Sequence, residues 1–149
     1  MPTRRDIIIG AGAAASLALL PGAASATPLM RDEAIAAITK GAAIKDARVT
    51  LTLPPIAENG LSVYMSVVVD SPMTQADHVR AIHIISEQNP IAQLMTFHLT
   101  PRSGVAKVAT NMRLATTQKV TALVEMSDGS FWRDQKSILV TIAACVDGG

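Results

Sequence analysis

The chain has 149 residues, with 13 basic and 12 acidic side chains, four aromatic residues and one cysteine. A formal net charge of +1 excludes the strongly basic surface with which proteins attract nucleic acid or an acidic membrane face. A single cysteine excludes an internal disulfide, so any thiol chemistry of this chain involves a second molecule.

Residues 1–26 have the composition of an export signal. Arg4 and Arg5 precede an apolar run from Ile7 to Leu20, and Ala24-Ser25-Ala26 is typical of a cleavage site. The run is too short and too rich in Ala and Gly to span a bilayer. The paired arginines predict twin-arginine export to a bacterial periplasm, and an ordinary secretory signal is the alternative.

About 123 residues remain after this segment, which is the size of one domain with its own core. Residues 27–41 are predicted to form a helix, with Thr27 as the N-cap, Pro28 at the first helical position and Gly41 as the stop. Its apolar residues fall on one side, namely Met30, Ala34, Ile35 and Ile38. An amphipathic helix of this kind lies either on its own domain or on a partner.

From residue 46 to residue 144 the pattern changes to short runs with alternating polar and apolar side chains. Seven runs are predicted as strands, at residues 48–53, 61–70, 79–86, 91–100, 105–114, 119–126 and 137–144. Turn signals such as Asn59-Gly60, Asn89-Pro90 and Asp128-Gly129 separate them. The series predicts an all-β chain, an immunoglobulin-like β-sandwich of about seven strands preceded by one N-terminal helix.

The last predicted strand carries the only cysteine at its end. We expect residues 145–149 to form a mobile arm, in which Gly148 and Gly149 supply flexibility. An unpaired thiol at Cys145 in an oxidising compartment is a candidate for reactive chemistry, and the alternative is a buried, inert cysteine. Asp147 is expected to raise the pKa of the thiol, so a partner enzyme would have to activate it. No histidine lies near Cys145 in sequence to act as its base.

A metal site is not expected. His78, His83 and His98 lack the spacing of zinc or copper ligands, and half-exposed mid-strand positions are the ordinary explanation for the last two. A blue-copper site needs His and Met close after its Cys, but Val146, Asp147 and two glycines follow Cys145. The methionines are predicted to fill the core and interfaces, namely Met65, Met95, Met112 and Met126.

Half of the aromatic residues stand together at Phe131-Trp132, beside the Asp128-Gly129 turn. Exposed aromatics next to a hairpin often anchor a partner. Aromatic side chains in that position also serve as a lid over the core. Both interpretations of Phe131-Trp132 remain open at the level of sequence.

Six stretches, in order over nearly the whole mature chain, resemble the SoxY sulfur-carrier subunit of the bacterial Sox thiosulfate-oxidation system. They are residues 53–60 (LPPIAENG), 70–74 (DSPMT), 79–84 (VRAIHI), 96–104 (TFHLTPRSG), 113–118 (RLATTQ) and 125–131 (EMSDGSF). The resemblance implies an immunoglobulin-like domain with an N-terminal helix, a twin-arginine signal, a periplasmic location and a heterodimer with a smaller SoxZ-like subunit.

The resemblance also implies that Cys145 carries the sulfur substrate as a covalent adduct and that no other cofactor is needed. The chain would then be a carrier rather than an enzyme, acted on by the cytochrome, hydrolase and sulfane dehydrogenase components of the Sox system. The arm of the family is Gly-Gly-Cys-Gly-Gly, whereas here Ala143-Ala144 precede Cys145 and Val146-Asp147 precede the two glycines. The alternative is a divergent SoxY-like binding or assembly module without covalent carrier activity.

Overall fold

The computed structural model describes residues 28–142. The predicted export signal at 1–26, the predicted N-cap Thr27, the glycines Gly148 and Gly149, and Cys145 lie outside the described residues. Helix α1 runs from Pro28 to Thr39, with the proline at its first position. The helix stops there because the next two residues, Lys40 and Gly41, adopt positive φ angles (53° and 82°) that cannot continue it.

Nine strands follow the helix. They are β1 (Ile44–Lys45), β2 (Val49–Thr52), β3 (Ile56–Asn59), β4 (Val63–Val69), β5 (Val79–Ser86), β6 (Gln93–His98), β7 (Lys107–Met112), β8 (Gln118–Met126) and β9 (Phe131–Ile142). A short 3₁₀ helix at Pro101–Ser103 joins β6 to β7. Each of the seven predicted runs overlaps one strand, whereas β1 and β3 were not predicted.

The strands form the two sheets of a sandwich. The larger sheet has the order β1-β9-β8-β5-β6, and β3 pairs with the later part of β9 on the same edge as β1. The smaller sheet has the order β2-β4-β7 and is antiparallel throughout. Mostly antiparallel pairing in two stacked sheets confirms the predicted immunoglobulin-like architecture.

The main core lies between the two sheets. It is built from alternate residues of the strands, with Leu51, Met65, Val67, Ile82 and Ile84 almost wholly buried. Met112 and Met126 are also buried there, and Met95 is partly buried against the same core, so the prediction that methionines fill the interior is confirmed.

A second, smaller core lies on the outer face of the larger sheet, under α1. Ala34, Ile35 and Ile38 of the helix pack there, together with Ile44, on Ile85, Ala92, Leu123 and Phe131. The helix therefore lies on its own domain. Met30 was predicted to share this apolar side, but its side chain is exposed because it precedes the turns that contact the sheet. An ion pair between Arg31 and Glu87 fixes the start of the helix against the loop after β5.

Strand β9 begins at Phe131, six residues before the start that the sequence predicted. The prediction failed because Arg133, Asp134, Gln135 and Lys136 interrupt any alternation of apolar residues. The strand forms there because of its pairing with β8. Residues 131–138 form a ladder with that strand, from Phe131 opposite Glu125 to Ile138 opposite Gln118.

Asp134 connects the two sheets. Its Oδ2 atom accepts a hydrogen bond of 2.8 Å from the backbone N–H of Leu51 on β2, and its Oδ1 atom accepts one of 2.8 Å from the N–H of Gln135. β2 forms one edge of the smaller sheet. The carboxylate thus satisfies an edge N–H that the sheet itself leaves without a ladder partner.

We expect Asp134→Ala to lower the free energy of unfolding by about 1–3 kcal/mol, because it removes a charged acceptor from two backbone donors. Chemical denaturation measures the change. Asp134→Asn keeps an acceptor oxygen and should cost less, while replacement of the exposed Asp70 by Ala should leave the stability within about 0.5 kcal/mol. Equal stability of Asp134→Ala and the wild-type protein would contradict this role of Asp134.

Candidate functional site

The part of the chain that leads to Cys145 is the end of β9. Residues 139–142 of β9 pair in parallel with β3, with Leu139 opposite Ile56 and Ile142 opposite Asn59. The hydroxyl of Thr141 donates a hydrogen bond of 2.8 Å to the backbone oxygen of Glu58 on β3. The N–H of Gly60 donates one of 2.9 Å to the backbone oxygen of Ile142. One side of the strand is therefore held as far as its last described residue.

On the other side of β9, a side chain replaces the neighbouring strand as hydrogen-bond partner. The ladder with β8 ends at Ile138, because β8 begins at Gln118. Beyond it, the hydroxyl oxygen of Thr117 accepts a hydrogen bond of 2.9 Å from the N–H of Val140 and lies 3.4 Å from the oxygen of the same residue. Thr117 therefore replaces the backbone of a neighbouring strand at Val140, which is held on both sides.

Cys145 follows Ile142 by three residues. Three extended residues span about 11 Å at most, so the thiol must remain within that distance of the fixed strand end, apart from the length of its own side chain. The predicted site residues Cys145, Gly148 and Gly149 all lie outside residues 28–142. The described part of the site is consequently its root and the surface around that root.

The three histidines do not converge. The Nδ1 atom of His78 lies 3.0 Å from the backbone oxygen of Thr74 in a loop, and His98 is exposed at the end of β6. His83 is in the middle of β5, opposite Thr96 and Leu123. Within residues 28–142 no three His, Cys, Asp or Glu side chains cluster in a way that could hold a metal ion.

His83 differs from its prediction because it is buried rather than half-exposed, with 8% of its surface accessible. Its Nδ1 atom lies 3.1 Å from the hydroxyl of Thr96, whereas its Nε2 atom is buried without a hydrogen-bond partner among the described residues. The sequence could not reveal this, because burial comes from the neighbouring strands and from coverage of the outer face of the sheet. Burial lowers the pKa of His83; Glu125 opposes this effect and His98 adds to it.

The two adjacent aromatic residues take different positions. Phe131 is buried in the core under α1. Trp132 packs at the margin of the main core, and its indole N–H donates a hydrogen bond of 3.0 Å to the hydroxyl of Ser130. Lys45 and Arg48 lie over its ring, at 5.0 and 5.5 Å from the centroid. These contacts agree with the lid interpretation, since both rings are largely engaged within the domain.

Comparison with known proteins shows to which family the chain belongs. The model of the family described as sulfur oxidation protein SoxY matches residues 35–145. The chain belongs to the SoxY family. The match includes the position of Cys145 and covers well over half of the sequence. No protein with a curated description matches the chain in sequence.

A solved structure supports the same relationship. The sulfur carrier protein SoxY from Chlorobium limicola f thiosulfatophilum is similar to this chain with a TM-score of 0.62 and 28% sequence identity, over 74% of this chain and 96% of that protein. Membership of the SoxY family and this structural similarity confirm the resemblance that the six sequence stretches indicated, and they identify the chain as a SoxY-type protein of sulfur oxidation.

Superoxide reductases have a similar fold. The enzyme from Ignicoccus hospitalis, a neelaredoxin, gives a TM-score of 0.55 at 17% identity over 77% of this chain and 94% of its own. The enzyme from Nanoarchaeum equitans gives 0.53 at 11% identity, over 64% and 100%. At such low identity the similarity concerns the sandwich alone, because one fold supports unrelated activities. No helix within residues 28–142 is long and apolar enough to cross a bilayer.

The buried His83 generates a prediction about pH. Its pKa in the folded state lies below the unfolded value of about 6.5, so the unfolded state binds more protons at mildly acidic pH and stability falls as the pH decreases through and below that value. Denaturation of wild type and His83→Leu between about pH 7.5 and 5 should show a smaller loss of stability in the variant. Parallel curves for wild type and His83→Leu would contradict the assignment.

Proposed function

We propose that this SoxY-family protein carries sulfur intermediates of thiosulfate oxidation covalently on Cys145. The observation that supports the proposal most directly is the family match, which extends to residue 145. The fixed root at Ile142 adds a physical argument. A thiol attached three residues beyond a rigid strand can be offered to several enzymes while the domain itself keeps its shape.

Loading is an oxidation. The Cys145 thiolate and thiosulfate form an S–S bond and together lose two electrons, giving Cys–S–S–SO₃⁻, and a cytochrome component accepts the electrons. A hydrolase then adds water across the terminal S–S bond of the adduct. Sulfate leaves with two protons released, and Cys145 keeps the sulfane sulfur as Cys–S–S⁻. A sulfane dehydrogenase component would oxidise that sulfur in turn.

The carrier itself does no catalysis in this proposal. Asp147, two residues from the thiol, is negatively charged and disfavours the thiolate, so the partner enzyme has to supply the activation. The reactions would take place in the periplasm after export by the twin-arginine route, for which Arg4 and Arg5 are the sequence support. A SoxZ-like subunit would accompany the chain as a heterodimer.

A second candidate is a SoxY-like binding or assembly module whose thiol is silent. The observation that favours it is the arm sequence, in which Ala143, Ala144, Val146 and Asp147 replace or interrupt the glycines that flank the carrier cysteine of the family. Side chains at these positions restrict the backbone and widen the segment that must enter an enzyme.

Intact-mass spectrometry of protein purified from the periplasm of cells oxidising thiosulfate separates the two candidates. If the protein is a carrier, the wild-type chain should have the added mass of a sulfane sulfur or of thiosulfate, and a reductant should remove it. Cys145→Ser should carry none, because the adduct needs the thiolate. A wild-type protein that stays unmodified while the same cells oxidise thiosulfate would exclude the carrier function.

We also expect a stable heterodimer with a SoxZ-like subunit. Size-exclusion chromatography with light scattering should give one peak of the summed mass after co-expression. Cys145→Ser serves as the control, since it should form the same heterodimer but lose any disulfide-linked homodimer that arises under oxidation. A wild-type chain that elutes as a monomer beside a folded partner would contradict the expectation.

A further inference from the structure

The two ends of the sandwich differ in their exposed apolar side chains. At the end where β9 finishes, the loops at 60–62 and 87–92 expose Leu61 and Ile91, and the strand itself exposes Ile142 (47%, 72% and 63% accessible). We call this the arm end. At the opposite end, formed by residues 70–78, 99–106 and 127–130, Val105 is the large apolar residue that is similarly exposed among the described residues.

Hydrogen bonds join the loops of the arm end into one unit. The chain of bonds starts at the oxygen of Ile142, which accepts from Gly60, and the oxygen of Gly60 accepts from Leu114 at 2.8 Å. The side chain of Asn89 then bonds both the oxygen of Arg113 and the N–H of Ala115, each at 2.8 Å. Leu61 and Ile91 are therefore held in fixed positions relative to the end of β9.

A shallow cavity adjoins Ile91. Its volume is about 280 Å³ and its lining consists of Asn89, Pro90, Ile91, Gln93 and Leu94. Asn89, which lines it, is itself buried and bonded within the loops of the arm end. A depression of this size beside an exposed isoleucine can accept a side chain of a docked protein.

The short link to the thiol decides which surface a partner must touch. An enzyme that reacts with Cys145 brings its active-site entrance to within about 11 Å of Ile142, because three residues span no more. A protein contact of ordinary size covers about 800 Å² on each partner. A round footprint of that area has a radius of about 16 Å, which exceeds the reach of the arm. The footprint of the enzyme therefore includes the arm end.

We propose that the arm end, with the exposed side chains of Leu61, Ile91 and Ile142, is the docking surface for the enzymes that act on Cys145. The inference rests on the proposed carrier function. The matching surface on such an enzyme is an apolar rim around the channel that admits the arm, since exposed Leu and Ile side chains gain most from burial against apolar groups. The channel behind the rim supplies the cationic groups for the sulfonate of the adduct.

The test measures sulfate release from the loaded protein. Tetrathionate converts the Cys145 thiolate into Cys–S–S–SO₃⁻ with thiosulfate as the leaving group, which provides the substrate without a loading enzyme. The hydrolase of a thiosulfate-oxidising bacterium is then added at increasing concentrations of carrier, and ion chromatography follows the sulfate. Intact mass confirms the loading of every variant before the assay.

The decisive variant is Leu61→Gln/Ile91→Gln, because both residues lie on loops and neither belongs to the arm or its strand. We expect KM to rise about tenfold with kcat within about twofold, since docking contacts act equally on the ground state and the transition state. Val105→Gln at the opposite end is the matched control and should keep the wild-type KM. Thermal unfolding should be similar for all three proteins.

The outcomes separate the docking surface from the carrier function. If wild type and the double variant are hydrolysed with the same KM, the proposed docking surface is wrong and the proposed carrier function is unaffected. If the hydrolase releases no sulfate from loaded wild-type protein, both the carrier function and the docking surface are wrong. Loss of the SoxZ-like subunit or of a homodimer in the double variant, seen by light scattering, would assign the surface to that partner and overturn the proposal.

Discussion

The structure depends on the pairing of β9, the strand that leads to the thiol. Its first part pairs with β8 on one side and, at Phe131 and Trp132, with β1 on the other. Its last part pairs with β3, and the hydroxyl of Thr117 binds Val140 from the opposite side. Asp134, in the middle of the same strand, reaches across to the smaller sheet. The pairing with β3 and the hydrogen bond from Gly60 to the oxygen of Ile142 hold the last described residue of the strand on the sandwich.

A rigid root has a functional consequence for a short arm. If β9 frayed after Ile138, where its ladder with β8 ends, four more residues would be free and the thiol could reach about 14 Å further. Partners could then react with Cys145 without touching the domain. The parallel pairing with β3 removes that freedom. In the carrier that we propose, recognition of the domain and access to the thiol would therefore be one event, which would restrict the bound sulfur to the correct enzymes.

The sandwich fold alone does not specify this function. Superoxide reductases have a similar fold at 11–17% identity, whereas the family match over residues 35–145 concerns sulfur oxidation. The histidines within residues 28–142 form no group that could hold a metal ion, and His83 is buried in the larger sheet. The chemistry proposed here depends on a residue placed beyond the sandwich.

The helix, a run overlapping each of β2 and β4 to β9, the sandwich class and the place of Cys145 after the last predicted strand could all be predicted from the sequence. These features have local causes: Pro28 and Gly41 bound a helix, and alternation marks strands whose two faces differ. The strands Ile44–Lys45 and Ile56–Asn59, the start of β9 at Phe131 and the burial of His83 became apparent from the folded chain. The same is true of the location of Leu61, Ile91 and Ile142 at one end of the sandwich. Short parallel pairings and burial depend on neighbours that are distant in the chain, so no local pattern encodes them.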